Sequence, residues 1–394
     1  MKIAGIIFES LLKTGGYEIF TYNLHKALAR RGHDVTLYLP AREVRKRRAF
    51  YSGLPFAVRP LIPQTSFFLR NAPGLLQRHL AWQQIRHGYD VWQVMGTWPE
   101  GFAALRVNAP KVLRNYGEDI QLSHELNYGI RRDPALDHAV RSVLKSMNKV
   151  VAMTDSLAAL QRELGVPEAN IARIPNGISL ERFRKPVDRA KVRARWHVGP
   201  EDFVLLTVGR NHPKKGFDLI PKLAHRIRDA GAKFVWLVLG GETDNLLPEL
   251  RRLNLENMVR PMHAIGGSAC PSGAAHLELP VDELLDIYGM CDLFVFPSRL
   301  EGFSRVIIEA LAAGLPVVTT NAPGCGEVLR HGRHGFVSPV EDIDDMADNV
   351  LRLIEDPGLL ARFSSEARIY AEDFDWDRIA AAYENQYRKL TGKK

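Results

Sequence analysis

Cysteine is scarce in this chain. Cys270, Cys291 and Cys325 are its only three, in 394 residues. They form no Cys-x-x-Cys pair and have no Cys/His ligand spacing, which fits a reducing cytoplasm and argues against a zinc site. Long apolar runs are missing too. Ile3–Phe8, Phe203–Val208 and Phe234–Leu239 fall far short of the roughly 20 residues a membrane span needs. Glu9 closes the first run too early for a signal peptide and no small-residue cleavage site follows, so Lys2–Phe8 reads as a buried first strand. The glycines do not spell Gly-x-Gly-x-x-Gly, which leaves a dinucleotide site little support. There is no low-complexity tract and no residue-level repeat.

What the chain has is length, uneven charge and alternation. Its size points to two domains of roughly 150–200 residues each. A content of 46% hydrophobic and 25% charged residues is that of a folded soluble protein. The net charge of +8 lies in one half: residues 1–180 carry 24 Lys/Arg against 14 Asp/Glu, and the rest carry 29 against 31. A basic half suits an anionic partner, either nucleic acid or an acidic membrane surface, or is simply a soluble basic surface.

Short apolar runs alternate with helical stretches. In the first half they are Lys2–Phe8, Asp34–Leu39, Val91–Met95, Lys111–Arg114 and Val150–Met153. In the second they are Phe203–Val208, Lys233–Leu239, Asn257–Pro261, Leu293–Phe296 and Pro316–Thr319. Near-continuous apolar strands separated by helices imply parallel sheets covered on both faces. Two such sets imply two doubly wound domains, with the turn signal Pro175-Asn176-Gly177 at the seam. Ligands of open α/β sheets bind at the carboxyl ends of the strands, so a site is expected in the cleft between facing sheets. The small-residue stretch Gly266–Gly273 reads as a lid or as a plain insertion.

Two carboxylates stand out. Glu309 lies in an apolar run, Val306 to Ala313, where an unpaired charge is costly. Glu301 precedes it by eight residues, about 12 Å of helix rise, whereas carboxylates acting together on one glycosidic bond lie roughly 5–9.5 Å apart. The pair suits two grips on one long ligand, with an anion between them at a helix N-terminus starting at Phe303 or Ser304. The plainer reading of Glu309 is an ion pair with Arg305. In Val208-Gly209-Arg210-Asn211-His212-Pro213-Lys214-Lys215-Gly216, an Arg and a Lys on a Gly turn after a strand can surround a diphosphate, or simply form a solvated basic turn. Thr14-Gly15-Gly16-Tyr17-Glu18 lets backbone approach a ligand, or is a tight turn alone.

Taken in order, Thr14-Gly15-Gly16-x-Glu18, Ile174-Pro175-Asn176-Gly177-Ile178 with Arg182-Phe183, Val208-Gly209-Arg210 with Lys215-Gly216, and Pro297-Ser298-x-x-Glu301-Gly302-Phe303 with Glu309-Ala310 resemble the family 4 retaining glycosyltransferases of GT-B fold. The resemblance covers essentially the whole chain. It implies an α/β protein with two Rossmann-like domains facing across a cleft: an acceptor domain over 1–180, a nucleotide-sugar domain over 181–372, and a last helix over 373–394 packing back on the first. It implies Arg210 and Lys215 as the diphosphate clamp and Glu301 on the transferred sugar, these three being the catalytic set. Glu309 would take the ribose, the amides of Gly302, Phe303, Ser304, Arg305 and Val306 the sugar and phosphates, and the Gly15-Gly16 turn would face the diphosphate. The activity implied is hexosyl transfer from a UDP- or GDP-sugar co-substrate, with retained configuration and neither metal nor other cofactor. An epimerase or phosphorylase of the same fold is the near alternative, and a basic nucleic-acid-binding protein the distant one. The reading adopted assigns no nucleic-acid partner.

Where the family commonly has His-Gly-x-Asp, this chain has Tyr116-Gly117-Glu118-Asp119. Tyr116 and Asp119 remain candidate sugar or phosphate contacts, but a tyrosine with a pKa near 10 is a poor base. That favours a departing phosphate taking the acceptor's proton itself. Arg42–Arg48 is a basic run, and Phe67-Phe68-Leu69-Arg70 and Leu75–Trp82 mix apolar with basic residues at helical spacing. They suggest a cytoplasmic enzyme lying peripherally on an anionic membrane face, acting on a glycan or lipid-linked acceptor in cell-surface polysaccharide or lipopolysaccharide synthesis.

Overall fold

The computed structural model describes residues 1–13, 15–62, 67, 72–263, 265 and 280–393. Thr14, the Phe68-Leu69-Arg70 stretch, Cys270 and the Gly266–Gly273 segment lie outside the described residues. The described chain forms two compact units. Of the described residues, the first holds 1–177 and 376–393 and the second 178–263, 265 and 280–375, against 180 and 372 as boundaries from the sequence.

The first unit is built on seven parallel strands: β1 (Lys2–Ile6), β2 (Asp34–Leu39), β3 (Ala57–Pro60), β4 (Val91–Met95), β5 (Lys111–Arg114), β6 (Lys149–Ala152) and β7 (Ile171–Arg173). Their order is β3-β2-β1-β4-β5-β6-β7, with Ile3 opposite Val35 on one side and Val91 on the other. Every residue of β4 is buried, as a strand covered on both faces must be. Helix α1 (Gly16–Arg30) lays Phe20, Leu24, Ala27 and Leu28, spaced by three and four, onto the core. Helix α2 (Pro73–His87) precedes β4. Helices α3 (Pro134–Ser146) and α4 (Asp155–Glu163) start at side-chain caps, Asp133 and Thr154.

The second unit has six parallel strands in the order β10-β9-β8-β11-β12-β13. These are β8 (Val204–Val208), β9 (Val235–Leu239), β10 (Val259–Met262), β11 (Leu293–Phe296), β12 (Val317–Thr320) and β13 (Gly335–Ser338). Among its helices are α5 (Ile220–Asp229), α6 (Asp282–Met290), α7 (Arg305–Ala313), α8 (Ile343–Glu355) and α9 (Pro357–Ala371).

Helix α10 (Trp376–Thr391) belongs to the first unit. Its Ile379, Ala380, Tyr383 and Tyr387 join the core that holds Phe20 and Leu24, each large side chain contributing about 1.5–3 kcal/mol on burial. Tyr387 donates to Gln93 Oε1 at 2.7 Å, and Arg31 grips Glu384 at 2.6 Å.

In each sheet the strand order reverses direction once, between β1 and β4 and between β8 and β11. Connections leave in opposite directions there, so a crevice opens at the strands' carboxyl ends.

Candidate functional site

The loops after β8 and β11 meet at the reversal of the second sheet. Pro213–Lys215 make a single turn capped by the His212 imidazole, which accepts from the Lys214 N–H at 3.3 Å. Gly216 ends that turn at a φ of +65°, and a Cβ there would lie 1.9 Å from the Pro297 carbonyl oxygen. Only glycine allows both the conformation and the approach. The Arg299 and Leu300 N–H groups donate to the Lys214 carbonyl at 2.8 and 3.1 Å, and the Ser298 hydroxyl does so at 2.9 Å. From the other side the Glu301 N–H donates to Pro323 O and the Ser304 N–H to Gly324 O, both at 2.9 Å.

This stitching buries Glu301, with Oε1 against Lys215 Nζ and Oε2 3.6 Å from Lys214 Nζ. From the sequence these two residues have separate tasks; the structure pairs them. The Lys215 ammonium also lies 5.3 Å from the Phe296 ring centroid. Burial, then the charges of Lys214 and Arg210, lower its pKa to about 7. Arg210 itself is exposed at the head of the turn.

Helix α7 starts at Arg305, slightly past the expected Phe303 or Ser304, with Ser304 as its N-cap residue. Gly302, Phe303 and Ser304 are buried, Arg305 and Val306 half-buried. Glu309, buried one turn into α7, accepts from the Tyr288 hydroxyl on α6 and from the Arg305 guanidinium, both at 3.1 Å. The plain ion pair is therefore present, and Tyr288 joins it. Burial raises the pKa of Glu309 while Arg305 opposes the rise. In the sequence Tyr288 looks like any core tyrosine on an apolar helix, so nothing marks it as a partner.

In the first unit Asp119 is fully engaged. Its carboxylate accepts from the N–H groups of Thr97 (3.0 Å), Tyr116 (2.8 Å) and Gly117 (3.2 Å) and from Asn115 Nδ2 (2.8 Å). It therefore holds the turn after β5 together. Tyr116 stands edge-on to Tyr17, with ring centroids 4.2 Å apart. Burial pushes its hydroxyl well above the ordinary range, against Arg114. At the start of α1 the Glu18 carboxyl sits beside Gly15, where a Cβ would be 2.4 Å from its Oε2. The first turn behind Gly15-Gly16 thus has an acid of its own chain.

Sequence reasoning passed over Glu100. It follows β4 in the turn Thr97–Gly101 and is 3% exposed. Its Oε1 accepts from the Phe8 N–H at 2.9 Å and lies 2.5 Å from the Tyr17 hydroxyl, which is also 2.8 Å from the Met95 carbonyl. One tyrosine proton cannot serve both neighbours, so a protonated Glu100 completes the set. Burial, against the hydrogen bonds from Tyr17 and Phe8, raises its pKa to about 7. The signal was the one that marks Glu309: an acid set among Trp98, Pro99, Phe102 and Ala103.

Two family patterns match the two halves of the chain. The one described as Glycosyltransferase Family 4 matches residues 14–182, and the one described as Glycosyl transferases group 1 matches residues 202–356. A D-inositol 3-phosphate glycosyltransferase of Streptomyces bingchenggensis is 33% identical over 255 residues, which is 62% of this chain and 53% of that one. The chain spans about half the length of the inositol-phosphate relatives it matches. The N-acetyl-alpha-D-glucosaminyl L-malate synthase of Bacillus anthracis is 25% identical over 391 residues, 95% of this chain and 93% of the other. Among solved structures, Anabaena Alr3699/HepE in complex with UDP shares the fold. Its TM-score is 0.78 at 22% identity, with 99% of this chain and 100% of that one covered.

Proposed function

This chain belongs to the family 4 glycosyltransferases of GT-B fold, and from that premise we propose that it moves a sugar from a UDP- or GDP-sugar to a hydroxyl of a glycan or lipid-linked acceptor, retaining configuration and using no metal. The observation that carries this reading is the meeting of Lys214, Lys215 and Glu301 at the reversal of the second sheet, with α7 starting four residues beyond Glu301. Two ammonium groups and the unpaired amides of a helix start suit a diphosphate. A diphosphate arriving there competes with Glu301 for Lys215 and frees that carboxylate for the hydroxyls of the sugar. Glu309 offers its oxygens to the ribose. As the bond from the anomeric carbon to phosphate breaks, negative charge grows on the leaving oxygen, and the fixed cations hold it more strongly than the ground state. The departing phosphate takes the acceptor's proton as the acceptor oxygen bonds the anomeric carbon on the same face. The products are a glycoside and a nucleoside diphosphate.

Titration calorimetry with UDP and GDP tests the reading. One of them should bind, Lys215→Ala should weaken it, and Glu301→Ala should cost turnover more than affinity. Absence of binding to the wild type, or wild-type behaviour of both variants, rejects it.

A membrane-facing acceptor is supported by α2. One face of this helix is buried through Leu76, Leu80 and Gln83, while Leu75, Trp82 and Ile85, the last 82% exposed, stand on the other beside Arg78 and Arg86. Apolar side chains ringed by arginines suit an anionic bilayer surface. Among the described residues no helix is long and apolar enough to cross a membrane. We place the enzyme peripherally on the inner face of the cytoplasmic membrane, in polysaccharide or lipopolysaccharide synthesis. Sedimentation with anionic but not neutral vesicles, lost in high salt and in Trp82→Ser/Ile85→Ser, is the expected result. Equal sedimentation with both lipids would end that placement.

A further inference from the structure

The first sheet has its own reversal, and the side chain that bridges it is Glu100. Its carboxylate joins the loop after β1, through the Phe8 N–H, to the turn after β4 that carries it. Taking the transferase reading as given, we infer that Glu100 is the acceptor-binding residue. Its Oε2 receives the reacting hydroxyl of an uncharged sugar or polyol at the β1/β4 reversal.

Three observations carry this. The first is place: the carboxyl end of a parallel sheet at its reversal is where such folds bind ligands. The second is the division of labour between the two oxygens. Oε1 is taken by Phe8 and Tyr17, whereas Oε2 accepts from no other residue among the described ones. It is uncovered on the side of Gly96, whose φ of +100° and missing side chain leave it open. A Cβ on Gly96 would lie 3.5 Å from Oε2, 3.8 Å from Asp119 Oδ2 and 3.9 Å from the Tyr116 ring. Asp119 already has five donors, so of the two carboxylates beside Gly96 it is Glu100 that has an oxygen left for a ligand hydroxyl, and the Tyr116 ring edges the same space.

The third is charge. Glu100, Asp119 and Glu18 are buried acids of this corner. Of the nearby cations, Lys13 pairs with Glu9, and the Arg114 guanidinium lies over the Phe20 and Tyr116 rings with one nitrogen on Asn176. The Asp119 carboxylate beside Gly96 repels a phosphate or carboxylate next to the reacting hydroxyl, while a neutral hydroxyl meets the acceptor oxygen of Glu100. The site therefore selects neutral acceptors.

Glu100→Gln tests the inference, because it keeps the shape and an oxygen for the Phe8 N–H. Two donor-side measurements, nucleoside diphosphate affinity and slow hydrolysis of the donor by water, are compared with transfer to a panel of methyl glycosides and polyols and their phosphorylated counterparts. The expected result is donor-side values within about twofold of wild type and an acceptor kcat/KM reduced about tenfold or more, through KM. Wild type should prefer the neutral acceptors. Tyr17→Phe removes the other side-chain contact of Oε1 and should leave the acceptor KM within about threefold. If Glu100 only staples two loops, both variants lose acceptor and donor functions alike, and the inference falls. It falls equally if acceptor KM is unchanged in Glu100→Gln, or if wild type prefers phosphorylated acceptors, a result readable even were that variant not to fold. A wild type that neither binds nor hydrolyses any nucleotide sugar overturns the transferase reading itself, whereas transfer with an unaltered acceptor KM overturns only the role of Glu100.

Discussion

Nucleoside diphosphate affinity should fall as pH rises through 7, because Lys215 sheds its proton there. Burial, then Lys214 and Arg210, set its pKa at about 7 in the free protein. A diphosphate beside Nζ favours the cation and returns the lysine toward its ordinary value near ~10. Binding must therefore take up a proton wherever the free lysine has lost its own. With about 7 free and about 10 bound, linkage lowers the association constant about 45-fold between pH 7 and 9. Stability of the free protein runs the other way. The unfolded lysine keeps its proton up to about pH 10, so between about pH 7 and 10 unfolding takes up a proton and stability rises with pH. Calorimetric titration at pH 7, 8 and 9, in two buffers of different ionisation heat, measures both the affinity and the proton count. Lys215→Arg, which stays charged throughout, should give a flat profile. A flat profile in the wild type would refute the reasoning, since it would mean that Glu301 keeps the lysine charged over the whole range.

Three further outcomes are expected. Glu309→Ala removes the acceptor shared by Tyr288 and Arg305 and should weaken nucleoside diphosphate binding about 10–100-fold; calorimetric affinity equal to wild type would leave Glu309 a purely structural residue. Gly216→Ala forces a Cβ against the Pro297 carbonyl at a positive φ and should cost about 2–3 kcal/mol in denaturant unfolding, so a loss below about 0.5 kcal/mol would contradict the close packing of the two loops. For Glu384, burial acts to raise the pKa, but Arg388 and Arg31 outweigh it and hold the carboxyl at about 2. A depressed carboxylate stabilises the fold above its unfolded pKa of about 4.3 and loses that contribution as pH falls toward 2. Glu384→Gln should therefore flatten the acid side of the pH–stability curve, and an unchanged acid limb would count against the pair.

Central strands were legible because burial on both faces writes a continuous apolar run. All ten runs picked from the sequence correspond to strands, four of them end to end and the others with ends shifted by a residue or two. The three strands it passed over, β3, β7 and β13, each lie at the edge of a sheet. Ala57–Pro60 is largely exposed and Ile171–Arg173 has three residues, so neither leaves enough pattern to read. The site divides in the same way. Glu309 was visible as a charge in apolar company, Glu301 by its spacing of eight residues from it, and the Gly turn as backbone that must bend. The pairing of Lys215 with Glu301 was not visible, because it depends on two loops 86 residues apart converging at a strand reversal. Glu100 carried the same local signal as Glu309, but its partners Phe8 and Tyr17 come from far earlier in the chain.

The chain leaves its first unit at Gly177 and re-enters at Trp376, and these two points touch: a Cβ on Gly177 would lie 2.5 Å from the Trp376 ring. Just beyond them the Ile178 N–H donates to the Phe374 carbonyl at 2.8 Å. Genetically, then, the second unit is a cassette spliced into a host whose cut ends remain side by side. Cutting the gene at the seam would strip the host of α10 and bare its core. Joining residue 177 to residue 376 through a short bridge would restore an uninterrupted host, and the excised cassette could be expressed from its own start.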